Sequence, residues 1–523
     1  MDRFRAELEK RNPKRRGKRR WLFVPYDQLS GDLGPLASEP PDELGIVLVE
    51  CPWKAAQRPY HRQKLALVLS NLRHFALEQA ERGVLVRHVV AKGPYHTALA
   101  PLADELGVLR AMRPAERELR QDLASLVDSG TVEYLPHEGW LTGPDDFRTA
   151  LPKPPYRMDA FYRQVRRRTG ILMEDGRPRG GRFSFDGENR CAWKGDPPAP
   201  EPVTFTVDAI DREVEDLIES RFSNHPGRLD LSRIPTTLAD VEKLWEFAQA
   251  ECLPHFGPYE DAMSTESRHL FHTQISPLVN LHRLLPARVL RDALALELPL
   301  ASIEGFVRQI LGWREFVRHV HEATDGFRTL NAEARPNLLG AETPLPPAYW
   351  GARSGLHCLD TVVESVWDEG YSHHITRLMV LSNLASLLDV DPRELTDWFW
   401  VAYIDAYDWV VEPNVLGMGT FAAGDLMTTK PYVSGAAYID RMSDYCGACA
   451  FHPKKTCPIT PLYWAYLGRH ADALEGNPRV ALPLRSQAKR TPAQKEADRS
   501  TFEEVRATLQ RGEALSPSSS RTR

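Results

Sequence analysis

The sequence predicts a two-part fold: a doubly wound α/β domain on a parallel sheet, followed by a large all-α domain. Before about residue 140, short apolar runs alternate with a helical pattern of 3.6-residue period. Beyond about residue 236 the strand signals stop and long amphipathic segments take over. A stretch rich in Pro, Arg and Gly separates the two regions and marks the join.

Residues 1–20 carry the basic run KRNPKRRGKRR, expected to be disordered and solvated, with a nucleic-acid or polyphosphate contact as the alternative. In residues 21–140, WLFV, GIVLVE and VLVRHVV read as short buried strands. QKLALVLSNLRHFALEQAERG lies between the second and third, a helix closed by Gly83. Strand–helix–strand order at this spacing implies right-handed crossovers, with small-molecule sites at the carboxyl ends of the strands. Residues 141–235 form a connector whose GDPPAPEPVTF leaves little room for regular structure, and residues 236–482 the helical domain. The polar tail 483–523 is expected to be disordered or frayed, with one helix at STFEEVRATLQRG.

Net charge is −5 over 523 residues, so a nucleic-acid surface must be a local patch. The longest apolar run, LMVLSNLASLL, falls short of the roughly 20 residues of a membrane span. The charged N-terminus lacks the form of a signal peptide, and a reducing, cytoplasmic location without membrane attachment is expected.

Of seven cysteines, Cys51, Cys191 and Cys252 are scattered singly and read as small buried hydrophobes. Cys446 and Cys449 form a C-x2-C pair, and Cys457-Pro458 follows closely. That spacing suits either Zn²⁺ or an iron–sulfur cluster. Cys358 is far upstream, and local spacing does not select it as a fourth ligand.

Three polar groupings stand in the apolar helical half. His373 and His374 open an apolar helix; they read as a core and a solvated histidine, or as a proton source beside a reactive centre. EPNVLGMG breaks the helices and offers Asn414 to a cavity or a turn. Thr273, Ser276 and Asn280 could receive a phosphate or ribityl chain, or serve as helix caps. A tryptophan-dense stretch carries Trp398, Trp400 and Trp409.

As a set, these residues resemble the iron–sulfur bacterial cryptochromes and photolyases, the prokaryotic (6-4) photolyase type within the photolyase/cryptochrome superfamily. The matches run from DQLS to CPITPLYW and include FYRQVRRRTGILM, GGRFSFDGENR, RQILGWREFVR, HHITRLMVLSN, PNVLGMGTFAAGD and KPYVSGAAYIDRMSDYC. The resemblance implies an N-terminal antenna domain, a linker, and a helical domain holding FAD beside a [4Fe–4S] cluster. By motif position Cys358, Cys446, Cys449 and Cys457 are the cluster ligands, although the loop before the last cysteine is shorter than the family's. FAD is expected at Tyr259, His272, Thr273, Ile275, Ser276, Asn280, Gln309, Trp313, Arg314, Asp405, Asn414 and Met418. His374, with His373 beside it, matches the proton donor of (6-4) repair. The family's electron relay maps onto Trp398 and Trp350, but its middle tyrosine is Phe399 here, and Trp400 is an expected detour. The antenna, 6,7-dimethyl-8-ribityllumazine, is expected at Asp27, Gln28 and Glu50, with Tyr26 replacing the usual Gly. The implied function is blue-light repair of (6-4) photoproducts by a monomer acting on UV-damaged DNA. The alternative is a cryptochrome-type light receptor. Arg163, Arg166, Arg167 and Arg168 could supply phosphate contacts or a solvated helix face.

Overall fold

A computed structural model describes residues 2–14 and 17–517. Five parallel strands form the N-terminal sheet: β1 (Arg20–Phe23), β2 (Leu44–Glu50), β3 (Leu85–Val90), β4 (Leu109–Met112) and β5 (Val132–Leu135). Their order, β3-β2-β1-β4-β5, reverses direction between β1 and β4, the switch point where a doubly wound sheet opens a crevice. All seven residues of β2 are buried, as a central parallel strand covered on both faces requires. A Cβ on Gly45 of that strand would come within 2.5 Å of the Trp21 ring, so this position takes no side chain. The helix Arg62–Glu81 covers the sheet and is capped by His61, whose ring accepts from the Gln63 amide.

The N-terminus departs from expectation. Residues Asp2–Arg11, which precede most of the basic run and set four basic side chains against three acidic ones, form a helix because Phe4 and Leu8 lie one turn apart and are both buried. The Phe4 ring meets the His88 ring edge-on at 4.8 Å and lies 5.2 Å from the Arg73 guanidinium. Phe4→Ala is therefore expected to cost about 3 kcal/mol and to speed proteolysis within residues 2–11, measured by chemical unfolding and limited trypsin digestion.

The connector is also more regular than its composition suggests. Helices Pro144–Ala150, Met158–Thr169 and Ala209–Arg221 punctuate it, while GDPPAPEPVTF is irregular as expected. Arg166 is buried and donates to the carbonyls of Ile171, Leu172 and Phe183, so it holds the chain together and is not free for phosphate. Arg163 and Arg168 pair with Asp159 and Asp146.

In the helical domain, four segments wind as π-helical turns: Ala248–Cys252, Arg308–Arg314, Arg377–Ser382 and Pro413–Gly419. Such wide turns inside α-helices concentrate at functional sites. In the tail the helix expected at STFEEVRATLQRG is present and begins earlier than expected, as Pro492–Gln510 opened by a Thr491–Gln494 capping box. It packs on Ile459–Arg469, with Arg469 over the Phe502 ring at 3.5 Å. Farther on, the Leu515 amide donates to the Ser354 carbonyl at 2.8 Å. Among the described residues no helix is long and apolar enough to cross a membrane.

Candidate active site

Asp405 is the centre of the first half of the site. Its carboxylate receives Ser276 Oγ at 2.7 Å and both terminal nitrogens of Arg377 at 3.0 Å, while its carbonyl receives Asn280 Nδ2 at 2.9 Å. A short helix (Ser276–Asn280), a π-helical turn and the loop before helix Asp408–Glu412 thus converge on one residue. Arg377 also lies 4.1 Å from the Tyr403 ring centre. Burial works against the guanidinium charge, but Asp405 outweighs it and holds the Arg377 pKa above its ordinary value.

The second half is a histidine trio. His272 and His373 stack at 4.3 Å and 12°, and His374 meets His272 edge-on at 5.5 Å. The trio's ring nitrogens include three that lie within 4.8 Å of one another. Their environments push their pKa values apart. Burial, with the neighbouring rings adding to it, drives His272 and His373 well below the ordinary imidazole value. Burial lowers His374 too, but Asp261, whose Oδ1 lies 3.6 Å from His374 Nε2, and the charge of Glu260 raise it overall. Two imidazoles kept neutral by burial therefore stand beside one whose proton is held more tightly than usual.

Asp261 is fixed from the other side by the Tyr438 hydroxyl at 3.2 Å. Glu260 is buried and accepts from Gln309 at 2.6 Å and Asn189 at 2.9 Å. Asp261, Glu260 and Arg377 were not singled out from sequence, although the acidic pair in FGPYEDAM stands next to Tyr259.

The other expected residues divide. Thr273 and Ile275 are buried between the two halves in sequence. Asn414 and Met418 lie one turn apart, both part-exposed on the π-helical turn, and Asn414 Nδ2 donates to the Val410 carbonyl. Arg314 donates to the Val279 carbonyl and lies 4.0 Å from the Trp140 ring centre; burial lowers its pKa to about 10. Trp313 packs edge-on against Phe316, and Tyr259 donates its hydroxyl to the Asp196 carbonyl. Buried His272 Nε2, His373 Nδ1 and Arg314 Nε have no hydrogen-bond partner among the described residues. An orphaned nitrogen on each of the two stacked imidazoles, His272 and His373, is what a polar cofactor would satisfy.

Cys358 is buried on helix His357–Glu369, and Cys446, Cys449 and Cys457 are half-buried. Burial, then the other three thiols, pushes the Cys358 pKa up; burial likewise takes Cys446 to about 12 and Cys457 to about 11. The cysteines do not form a ligand group within 4.8 Å. The other three thiols stand close enough to act on the Cys358 charge, so the four offer one centre a set of soft sulfur ligands.

At the carboxyl ends of β1 to β4 lies a cavity of about 760 Å³, counting its open mouth. Tyr26, Glu50, Tyr95 and Glu116 line it from the sheet, and Trp400 and Tyr407 close it from the helical domain. Of the expected antenna residues only Glu50 reaches it, and its carboxylate is bound by Arg73 at 2.6 Å and His88 at 3.0 Å. Tyr26 stacks between Tyr95 and Tyr407 at 6.3 and 6.2 Å and hydrogen-bonds Glu116. Asp27 and Gln28 are not lining residues, yet each keeps a buried oxygen without a partner among the described residues. Burial raises the Asp27 pKa to about 7.

Trp400 belongs to this cavity, beneath the Arg58 guanidinium at 4.1 Å, so it points away from the expected detour. The ring that adjoins both Trp398 and Trp350 is Trp367, at 6.1 and 5.5 Å. Sequence reading missed it because one tryptophan in an amphipathic helix reads as core.

Residues 22–233 match the family described as deoxyribodipyrimidine photo-lyase-related protein, and residues 306–444 the FAD binding domain of DNA photolyase. The chain is 33% identical over 487 residues to the (6-4) photolyase of Agrobacterium fabrum, covering 90% of this chain and 95% of that protein. Two solved structures share the fold at 16% identity and a TM-score of 0.56. A bacterial class III photolyase from Agrobacterium tumefaciens aligns over 95% of this chain and 99% of its own. A Synechocystis cryptochrome aligns over 94% and 100%. With a one-third identity sustained across nearly all of both proteins, the chain belongs to the photolyase/cryptochrome family, in the branch of the prokaryotic (6-4) photolyases.

Proposed function

We propose that this protein is a monomeric, blue-light-driven photolyase that repairs (6-4) pyrimidine photoproducts in UV-damaged DNA, with His374 as proton donor. The observation that carries the mechanism is the split within the histidine trio: only His374 stands against carboxylates, and it is the one partly exposed at the site's surface. Reduced FAD, when bound and excited, supplies the electron that splits the lesion. Ser276, Asn280 and the Arg377–Asp405 pair would hold it from one side, and His272 and His373 from the other. A damaged pair is cheaper to unstack than an intact one, so the flipped lesion can reach the His374 imidazole. That imidazole delivers a proton while Asp261 and Glu260 stabilise its charge before transfer.

Cys358, Cys446, Cys449 and Cys457 would hold a [4Fe–4S] cluster that ties helix His357–Glu369 to the C-terminal turns. The family's ribityl-lumazine antenna would occupy the cavity between Tyr26 and Trp400. Acid extraction of purified protein tests the inventory: FAD, a lumazine, and iron and sulfide in equal amounts are expected. Absence of FAD would overturn the photolyase reading.

DNA contact is supported by a basic cluster near the site. Burial, then the charges of Arg479 and Arg190, lowers the Lys430 pKa, and Arg190 lies 3.8 Å from Asp261. Lys430→Ala and Arg479→Ala are each expected to reduce the slope of log affinity against log salt by about 1, measured by titration of a lesion-bearing duplex. An unchanged slope would place the phosphates elsewhere.

A further inference from the structure

We propose that Trp367 is the middle carrier of a light-driven electron relay, Trp398–Trp367–Trp350, and does the work that Phe399 cannot. The inference rests on the flavoprotein reading above, with Trp398 as the residue nearest the flavin.

Trp398 is 1% exposed and meets Trp367 edge-on at 6.1 Å. Trp367 then stacks on Trp350 at 5.5 Å and 19°, and Trp350 is 48% exposed. Three indoles thus run in contact from the core to solvent. Both inner indoles donate Nε1–H to one acceptor, the Tyr349 carbonyl, at 3.0 Å from Trp398 and 2.9 Å from Trp367. One backbone oxygen therefore fixes the orientation of both rings.

The competing rings serve less well. Phe399 touches Trp398 at 5.1 Å, but its side chain is hard to oxidise and its stacked partner is Tyr403, not Trp350. Tyrosine oxidation requires loss of the phenol proton. Tyr349 lies 5.4 Å from Trp398, yet its hydroxyl donates to the Leu381 carbonyl, which cannot take that proton. Among the described residues the Tyr403 hydroxyl is paired only with Ser372. Burial raises the pKa of both phenols. An indole can carry the transient positive charge with its N–H intact, and no proton acceptor is needed at Trp367. His61 stacks on Trp367 at 5.8 Å and 5°, and burial lowers its pKa to about 4, so it adds no opposing charge.

The step balances as follows. One electron passes from Trp398 to the photoexcited oxidised flavin, and electrons from Trp367 and then Trp350 refill the holes in turn. The oxidised Trp350 indole releases its N–H proton to water, which supplies a proton to the reduced flavin, and regains an electron and a proton together from an added thiol. Two such turnovers convert two thiols to one disulfide.

The test is blue-light reduction of the oxidised holoprotein with dithiothreitol under anaerobic conditions, with transient absorption of the tryptophan radical. Trp367→Phe should keep its flavin content, slow photoreduction roughly tenfold or more, and lose the long-lived radical. Loss of the long-lived radical at unchanged flavin content is a readout that a merely structural role for Trp367 would not move. Repair by dithionite-reduced Trp367→Phe should match wild type. Photoreduction of Trp367→Phe at the wild-type rate, with Trp398→Phe inactive, would overturn the inference and leave the flavin reading standing. Wild-type rates in both variants would overturn the whole relay. A preparation without flavin would instead overturn the flavoprotein reading itself.

Discussion

His374→Ala is expected to lower the (6-4) repair rate by ~10²–10⁴-fold while flavin content and lesion binding persist, because a positioned proton donor contributes on that order. The expectation follows from the unequal trio, in which His272 and His373 are held neutral by burial and cannot take over. The pH profile carries a second signature. Asp261 and Glu260 raise the His374 pKa, so the active, protonated form survives above the usual imidazole value and repair falls as pH rises through the raised pKa. Asp261→Asn removes the nearer carboxylate. The imidazole pKa then drops, and the alkaline limb should move to lower pH with a smaller change in the maximal rate. Rate measurements on a single-lesion oligonucleotide across pH read both effects. An alkaline limb unmoved in Asp261→Asn would assign the titration to another group.

Asp405→Ala is expected to be the most damaging substitution for the cofactor site. It strips Arg377 of its carboxylate partner and leaves a largely buried guanidinium uncompensated, a change that costs about 3–5 kcal/mol in comparable buried pairs. Ser276 loses its acceptor at the same time. Protein should emerge less stable and depleted of flavin, measured by thermal unfolding and by absorbance after gel filtration. The double variant Asp405→Ala/Arg377→Met separates the causes. It should recover part of the stability by removing the orphaned charge, and none of the flavin. Retention of full flavin in Asp405→Ala would remove this pair from the binding site.

The α/β half was legible because β2 is a run of mostly apolar residues and the segment of helix Arg62–Glu81 spaces its apolar residues at roughly 3.6. The cysteine cluster stood out as a candidate metal site because C-x2-C spacing is itself a chemical signature. What escaped was what periodicity does not encode. The π-helical turns at Arg308–Arg314, Arg377–Ser382 and Pro413–Gly419 shift side chains off the 3.6-residue face, so Arg377 read as an ordinary helix position. The N-terminal helix escaped because Phe4 and Leu8 stand among seven charged residues in a ten-residue segment, and two buried side chains suffice to dock one short helix. Trp367 escaped because its meaning depends on Trp350 and Trp398, which only the folded chain brings beside it. Of the residues read as antenna contacts, only Glu50 lines the cavity at the carboxyl ends of the strands, because sequence position alone does not say which side chains face it.

The most direct test of the central claim is repair by the reduced wild-type holoprotein of two otherwise identical oligonucleotides, one carrying a (6-4) photoproduct and one a cyclobutane dimer, in blue light and in the dark. Light-dependent restoration of the (6-4) substrate, absent in the dark and lost in His374→Ala, is the predicted result. A flavin-loaded wild type that leaves the (6-4) lesion intact under illumination would contradict it.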